Sequence, residues 1–189
     1  MSESKPVSQE QRESSLRDIL GSDRTAMVQA ATLLSSDAST TSQLVELLQS
    51  ERRIETRHAI LYALSWHSDL KLWDLMVQML SDSNEAPLVR GQAAEGLAYM
   101  FSKVRTVSRE FEVAVNALAA ALKDPSPEVR YCAVHALGTT GHPPVKTMLE
   151  EMLVDQNRAE GWVGTVGEAA SRAIETLELA HGMRIKGEL

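Results

Sequence analysis

A single cysteine, Cys132, stands among the 189 residues. That excludes an internal disulfide framework and any zinc site built from several thiolates. Aromatic residues are scarce too: two Phe, three Trp and three Tyr make 4% of the chain, against 43% hydrophobic residues. A core with so few large rings closes through many small contacts, as Ala/Leu helices do when they pack at short distance. Cations are outnumbered, 19 Lys and Arg to 26 Asp and Glu, for a formal charge of −7. This disfavours a general binder of nucleic-acid phosphates, which needs concentrated Lys and Arg, and matches a basic partner surface better. No run of 18 apolar residues occurs, so no segment is expected to cross a membrane. The opening "MSESKPVSQEQRESS" lacks the apolar stretch of a signal peptide and is too acidic for a transit peptide. The closing "KGEL" echoes an ER-retention tail without any entry signal, and the expected location is cytoplasmic.

What the chain does have is self-similarity. Residues 1–8 are polar and expected to be disordered; from there to about 180 nearly every segment carries a helical period, with no sustained strand alternation. Five ten-residue windows share one register: "AMVQAATLLS" (26–35), "TRHAILYALS" (56–65), "VRGQAAEGLA" (89–98), "VRYCAVHALG" (129–138) and "VGEAASRAIE" (166–175). Their first column is Ala26, Thr56, Val89, Val129, Val166, their fifth Ala30, Ile60, Ala93, Ala133, Ala170, their ninth Leu34, Leu64, Leu97, Leu137, Ile174. Positions 1, 5, 8 and 9 fall on one face of a helix, so each window predicts an amphipathic helix with a stripe of small residues. Four windows are followed by a second apolar helix: "TTSQLVELLQS", "LKLWDLMVQMLSD", "FEVAVNALAAALKD" and "VKTMLEEMLVD". A helix–turn–helix unit recurring after 30, 33, 40 and 37 residues is the signature of an α-solenoid. The longer steps come from "MFSKVRTVSRE" (100–110) and "DQNRAEGWVGT" (155–165).

Boundary residues agree. Ser126 is a candidate N-cap with Pro127 at the first helical position; Ser68 and Ser108 are further candidate caps. Gly138 and Gly141 are expected to stop one helix, and Pro143-Pro144 to start the next. Residues 9–20 predict a capping helix with Leu16, Ile19 and Leu20 inward, and a last helix over about 163–180 closes the other end. The organisation expected is a tail over 1–8, one repeat domain over 9–180 with units starting near 21, 51, 82, 124 and 160, and a C-terminal tail over 181–189.

The stretch "DPSPEVRYCAVHALGTTG" (124–141) resembles the HEAT repeat, in particular the short HEAT-like variety also found in phycobilin lyases. Asp124, Pro125, Val129, Arg130, Ala133, Ala136, Leu137 and Gly138 all fit that pattern; the other windows match less completely, and the likeness covers about residues 20–178. It implies an all-α, right-handed α-α superhelix of about five HEAT-like helical hairpins with terminal capping helices. It also implies that the arginines of the second column, Arg57, Arg90 and Arg130, are structural, tied to aspartates near repeat starts, with Asp82 and Asp124 as partners. The family is specific for fold and nearly silent on function.

Cys132 and His135 lie one helical turn apart, a spacing that suits a nucleophile with its base. In register, Cys132 fills the fourth column beside the buried stripe. His135 fills the seventh with Thr32, Tyr62, Glu95 and Arg172, pointing away from the core, and no third group nearby in sequence orients the imidazole. The five histidines, His58, His67, His135, His142 and His181, show neither His-Glu pairs, as in HEAT-like iron enzymes, nor metal-ligand spacing. The expectation is therefore no enzyme, no cofactor and no metal.

Binding is the class that remains. Trp66 and Trp162 lie in turns, where a ring can anchor a partner, and Trp73 lies on a second helix. Residues 150–178 carry seven acids against Arg158 and Arg172, an acidic end that would steer a basic partner. The insertion at 100–110 carries Lys103, Arg105 and Arg109. Second helices usually line the concave side of such stacks; their outward positions are Ser42, Glu46, Asp74, Gln78, Asn116, Lys146, Glu150 and Glu151. The expected partner-binding set is Glu46, Trp66, Trp73, Asp74, Gln78, Asn116, Lys146, Glu150, Glu151, Asp155 and Trp162. The function read from this is a non-catalytic, protein-binding adaptor or inhibitor, for example an immunity-type protein or an assembly factor, engaging a partner protein with a basic surface. The alternatives are a bilin lyase-like chaperone and a nucleic-acid-binding HEAT-like protein.

Overall fold

The computed structural model describes residues 7–187. Among them there are ten α-helices and no strand, only one isolated bridge between Arg158 and Thr165. Where the sequence suggests one repeat domain, the chain divides into two compact units with the boundary between Ser68 and Asp69.

The first unit holds α1 (Gln9–Asp18), α2 (Arg24–Leu34), α3 (Thr41–Ser50) and α4 (Ile54–His67). Ser8 starts α1 with a capping box: its hydroxyl accepts from the Gln11 N–H at 3.2 Å and Gln11 Oε1 accepts from the Ser8 N–H at 3.0 Å. Two of the terminal amides that a helix leaves unpaired are thereby satisfied. Ser8 thus belongs to the fold rather than to a disordered tail, while residues 1–6 of that expected tail lie outside the described residues. Ile19, Ala30, Leu34, Leu44, Leu48, Ile60 and Leu64 close the core, with α1 on α2 and both α2 and α3 on α4. Ile19 is fully buried; Leu16 and Leu20 are half-buried. The His67 ring fastens this unit, its Nε2 2.8 Å from the Leu34 carbonyl and its Nδ1 2.9 Å from Thr41 Oγ1.

At the boundary Ser68 ends α4 in the left-handed region, φ 50°. It does not cap the segment after it, as its position suggests. Asp69 does so, accepting from the Lys71 N–H at 2.9 Å; a carboxylate one residue later reaches the free amide that the serine would have taken.

The second unit holds α5 (Trp73–Ser81), α6 (Pro87–Ala98), α7 (Arg109–Ala121), α8 (Pro127–Thr139), α9 (Lys146–Met152) and α10 (Val166–Lys186). The window helices α6, α8 and α10 pack side by side; α5 packs on α6 and α7, α7 on α8 and α9 on α10. Val89, Ala93, Leu97, Val129, Ala133, Leu137, Val166 and Ala170 are completely buried, so the first, fifth and ninth columns of this unit lie in the core, apart from the half-buried Ile174 of α10. Gly138 does not stop α8 but lies inside it. A Cβ there would sit 2.8 Å from the Cα of Ala173 on α10, so the missing side chain sets how closely the two helices approach. Gly141, at φ 59°, makes the turn instead.

Three of the few aromatic rings form one stack: Trp73 on Phe101 at 5.2 Å, Phe101 on Phe111 at 5.3 Å, each edge to face, continued by the His142 ring 5.4 Å from Phe111. Such pairs stabilise beyond their buried area. Phe101 opens the basic insertion, which is thereby tied to the core. The last helix begins at Val166 rather than 163 and passes position 180, so most of the expected tail 181–189 is helical. Leu177 and Ala180 are buried, and Arg184 donates to the carbonyls of Thr140 (2.9 Å), Val104 (3.3 Å) and Phe101 while its guanidinium stands 5.9 Å over the Phe111 ring. Residues 188 and 189 lie outside the described residues.

Candidate partner-binding site

Two arginine clamps organise the second unit. Arg90 on α6 donates from Nη2 to both carboxylate oxygens of Asp124, at 3.0 and 2.8 Å, and from Nη1 to the Glu85 carbonyl. Arg130 on α8 donates from Nε to Asp155 at 2.8 Å and from Nη1 to the carbonyls of Asp124 (2.8 Å) and Pro125 (3.1 Å). Each window arginine therefore reaches forward to the aspartate that ends the next second helix. In the first unit Arg57 donates to the carbonyls of Leu48 (2.7 Å) and Glu51 (3.0 Å). Asp82 closes its own turn by accepting from the N–H of Asn84 at 2.9 Å and its Nδ2 at 3.2 Å.

Asp155 is thus not the open partner contact its place in an acidic end suggests. Its side chain is only 12% exposed. Burial pushes its carboxyl up, but hydrogen bonds from Arg130 and Asn157 outweigh this and hold it below the usual carboxylate range.

Behind that clamp the long α9–α10 joint is pinned from both sides. Asn157 and Asp155 accept, through their carbonyls, from the N–H groups of Val166 (2.9 Å) and Gly167 (2.8 Å). Glu128 accepts from the Glu160 N–H at 3.1 Å. The Tyr131 hydroxyl donates to the Val163 carbonyl at 3.2 Å and accepts from Arg172 at 2.8 Å; Arg172 also reaches that carbonyl at 3.2 Å. The Trp162 ring lies over Tyr131, centroids 5.0 Å apart and planes tilted by 31°. Thr165 and Glu168 then open α10 with a second capping box. On this pinned backbone Val154 and Val163 stand 80% and 84% exposed, and Leu153 and Trp162 about half that. Glu150 and Glu151 on α9 and Glu160 on the joint are exposed beside them in sequence. The joint thus presents an exposed apolar lip on hydrogen-bonded backbone, with carboxylates near it in sequence; backbone that is already ordered loses little entropy when a partner binds.

The other expected contacts divide. Trp73 is buried, its indole N–H donating to the Glu110 carbonyl at 3.2 Å, so it supports the ring stack and is unavailable to a partner. Trp66 on α4 is half-exposed, edge-on to Tyr62 at 6.3 Å. Ser42 and Glu46 on α3, Asp74 and Gln78 on α5, and Asn116 on α7 are exposed. Lys146 on α9 is half-buried and donates to Glu178 at 2.8 Å. Among the described residues, Val113 is the only large apolar side chain exposed on the second helices α3, α5, α7 and α9; the others lie on window helices, turns and joints. The second-helix face is polar, and the apolar anchors lie elsewhere.

Cys132 and His135 acquire the third group that the local sequence does not supply. Glu95 of α6, a seventh-column residue expected to face solvent, is 4% exposed. His135 Nδ1 lies 2.9 and 3.0 Å from its two oxygens. The Glu95 carboxyl holds the His135 pKa above its usual value, against the opposing effect of burial. Burial first, and Glu95 second, push the Cys132 thiol well above its ordinary range. Both influences favour the protonated thiol over the nucleophilic thiolate. Gly91 makes room for it, its ideal Cβ position being 3.3 Å from Sγ. Among the described residues no group of three or more His, Cys, Asp or Glu is placed to hold a metal ion, and no helix is long and apolar enough to cross a membrane.

Comparison with known proteins agrees with this architecture. No curated protein matches the chain. Among solved structures, a chain of the complex of CpcE and CpcF of phycocyanin lyase from Nostoc sp. PCC7120 is 20% identical, over 90% of this chain and 99% of that one, with a TM-score of 0.69. A designed armadillo repeat protein (17% identity, 87% and 81% coverage, TM-score 0.52) and an engineered protein (18%, 96% and 89%, 0.57) share the fold. All three likenesses concern the all-α superhelical repeat fold. Residues 78–161, the stretch that holds both arginine clamps, match the family model described as HEAT repeats, and the chain as a whole has the all-α superhelical repeat fold.

Proposed function

We propose that this chain is a non-catalytic protein-binding scaffold, an adaptor or inhibitor such as an immunity-type protein or assembly factor, that engages a basic partner at its acidic C-terminal end. The observation that carries the reading is the pinned α9–α10 joint, with Trp162, Val163, Val154 and Leu153 exposed on ordered backbone and Glu150, Glu151 and Glu160 beside them. Apolar anchors supply affinity while the acids accelerate encounter with a cationic surface. Trp66 and the polar outward residues Glu46, Asp74, Gln78, Asn116 and Lys146 supply further contacts. The burial of Cys132, in surroundings that favour the protonated thiol, supports a scaffold over a thiol enzyme. A cytoplasmic setting suits an acidic chain with one buried free thiol.

Affinity capture from source extract, repeated with the Trp162→Ala/Val163→Asp and Glu150→Lys/Glu151→Lys variants, tests this. The expected result is a partner whose capture falls with either variant, the charge variant also flattening the salt dependence. Equal capture by all three proteins removes the joint as the contact.

A second reading, a bilin lyase-like chaperone, is favoured by the likeness to a subunit of the phycocyanin lyase complex over nearly that subunit's whole length. Mixing the protein with a bilin separates the two: an induced visible absorption band supports the chaperone, and its absence leaves the scaffold.

A further inference from the structure

The buried line of α10 runs through Val166, Ala170, Ala173, Leu177 and Ala180 to Arg184. The opposite face carries Glu175, Leu179, Gly182 and Lys186, spaced four, three and four residues apart, with Met183 at its side. Leu179 is 67% exposed and Met183 45%. An added Cβ on Gly182 would meet nothing within 4 Å. On this face Leu179 takes one position of the four–three spacing that seams two helices together, with Met183 exposed beside it.

We infer that this face takes α10 of a second copy of the chain in antiparallel pairing. The charges select both the occupant and the direction. Glu175 and Lys186 lie at equal distances from the midpoint between residues 180 and 181, and so do Leu179 and Gly182. A twofold axis at that midpoint therefore places Glu175 of each copy against Lys186 of the other, and Leu179 of each over the bare backbone of Gly182 of the other. The surface is its own complement, as an isologous contact requires. A parallel pairing would set Glu175 against Glu175 and Lys186 against Lys186. The contact is one helix face wide, so it makes a weak, concentration-dependent dimer. It is independent of the joint and its partner: it lies on the outer face of α10, beyond the capping box that ends the lip.

Sedimentation equilibrium of the full chain tests it. The weight-average mass should rise toward twice the monomer value between about 10 µM and 1 mM. Glu175→Lys alone, or Lys186→Glu alone, puts like charges together twice per dimer and should weaken association about tenfold or more. Glu175→Lys/Lys186→Glu should restore it, and Leu179→Asp should abolish it. All these positions are open to solvent, and an unchanged helical circular dichroism spectrum verifies the fold of each variant. A wild-type chain that stays monomeric throughout overturns the inference, whether its α10 face is bare or covered by another protein. So does a dimer indifferent to Glu175→Lys, or a double swap that fails to restore association.

Discussion

The α6–α8 and α8–α10 interfaces of the second unit use the same device to different ends. In both, a window arginine holds the aspartate that closes the following second helix: Arg90 with Asp124, Arg130 with Asp155. After Asp124 only Pro125 and Ser126 precede α8, and the joint is nothing more than a connection. Between Asp155 and the start of α10 lie ten residues, and the clamp is the first of a set of ties that hold an exposed Trp162 and Val163 in place. A repeat needs its arginine clamp for stability, and chain inserted beyond the clamp is left free to carry another role. Where such extra chain is rigid as well as exposed, it is the place to look for function.

Removing each arginine separates these roles. Arg90→Ala leaves Asp124 in a setting where its side chain is 15% exposed and should cost about 3 kcal/mol of stability, read by urea denaturation, with capture of a partner unchanged at temperatures where the chain stays folded. Arg130→Ala should cost a similar or smaller amount and in addition raise hydrogen exchange and protease cutting across 155–165. If both variants lose stability alike and the joint stays protected, the clamp does not organise the lip and the contrast between the interfaces fails. Tyr131→Phe is the milder form: it keeps the ring under Trp162 but removes the hydroxyl that links Val163 and Arg172. About 1 kcal/mol of stability should go with it, together with protection of the joint.

The two interfaces should also answer pH in opposite directions. His135 has its pKa raised by Glu95, so the stability it contributes to α6–α8 is complete below the ordinary value of 6.5 and disappears as pH rises through the higher folded value. Asp155 has its pKa lowered, so its contribution to α8–α10 is complete above the ordinary value of 3.8 and disappears as pH falls through the lower folded value. Raising pH from about 6 to 8 should therefore weaken wild type relative to His135→Gln, and acidification should weaken wild type relative to Asp155→Asn. Parallel curves for wild type and variant in either range would show that the group in question is not linked to folding.

What sequence made legible follows from what it encodes locally. The apolar columns, Pro127 at the start of α8, the Ser108 cap of α7 and the order of helices are written in the 3.6-residue period and in single-residue conformational preferences, and those elements stand in the structure; Ser126 holds the N-cap position of α8 without a side-chain cap, its hydroxyl donating to Glu128 instead. The seventh column reads as solvent-facing by the same period, yet Glu95 is buried, because α8 places Cys132 and His135 against it and a helical period says nothing of how near the next repeat lies. Position alone leaves Trp73 open both to packing between repeats and to a partner, for the same reason; its burial depends on Phe101, 28 residues further on. Asp155 reads as one of the open acids because "DQNRAEGWVGT" lacks the prolines that mark "DPSPEVR". Its equivalence to Asp124 was nonetheless present, since each closes a second helix that ends in leucines. The rigidity of the joint was not legible at all: it rests on Tyr131 and Arg172 meeting one carbonyl, a convergence of three elements separated in sequence.

The smallest expected effect concerns the residue pair with the most suggestive local pattern. Cys132 is 2% exposed, and burial and Glu95 both favour the protonated thiol. A maleimide should therefore label the native chain only at the rate at which α6 and α8 open, and labelling should accelerate to that of a free thiol in denaturant. Glu95→Gln removes the carboxyl's influence on the thiol but leaves the burial, so native labelling should rise only as far as the variant loses stability. Rapid labelling of the folded wild type would place a reactive thiolate beside His135 and return that pair to consideration as chemistry. Slow labelling that tracks global unfolding makes Cys132 a filler of the α6–α8 seam, matched to Gly91, on the side of the molecule where the clamp serves the fold alone.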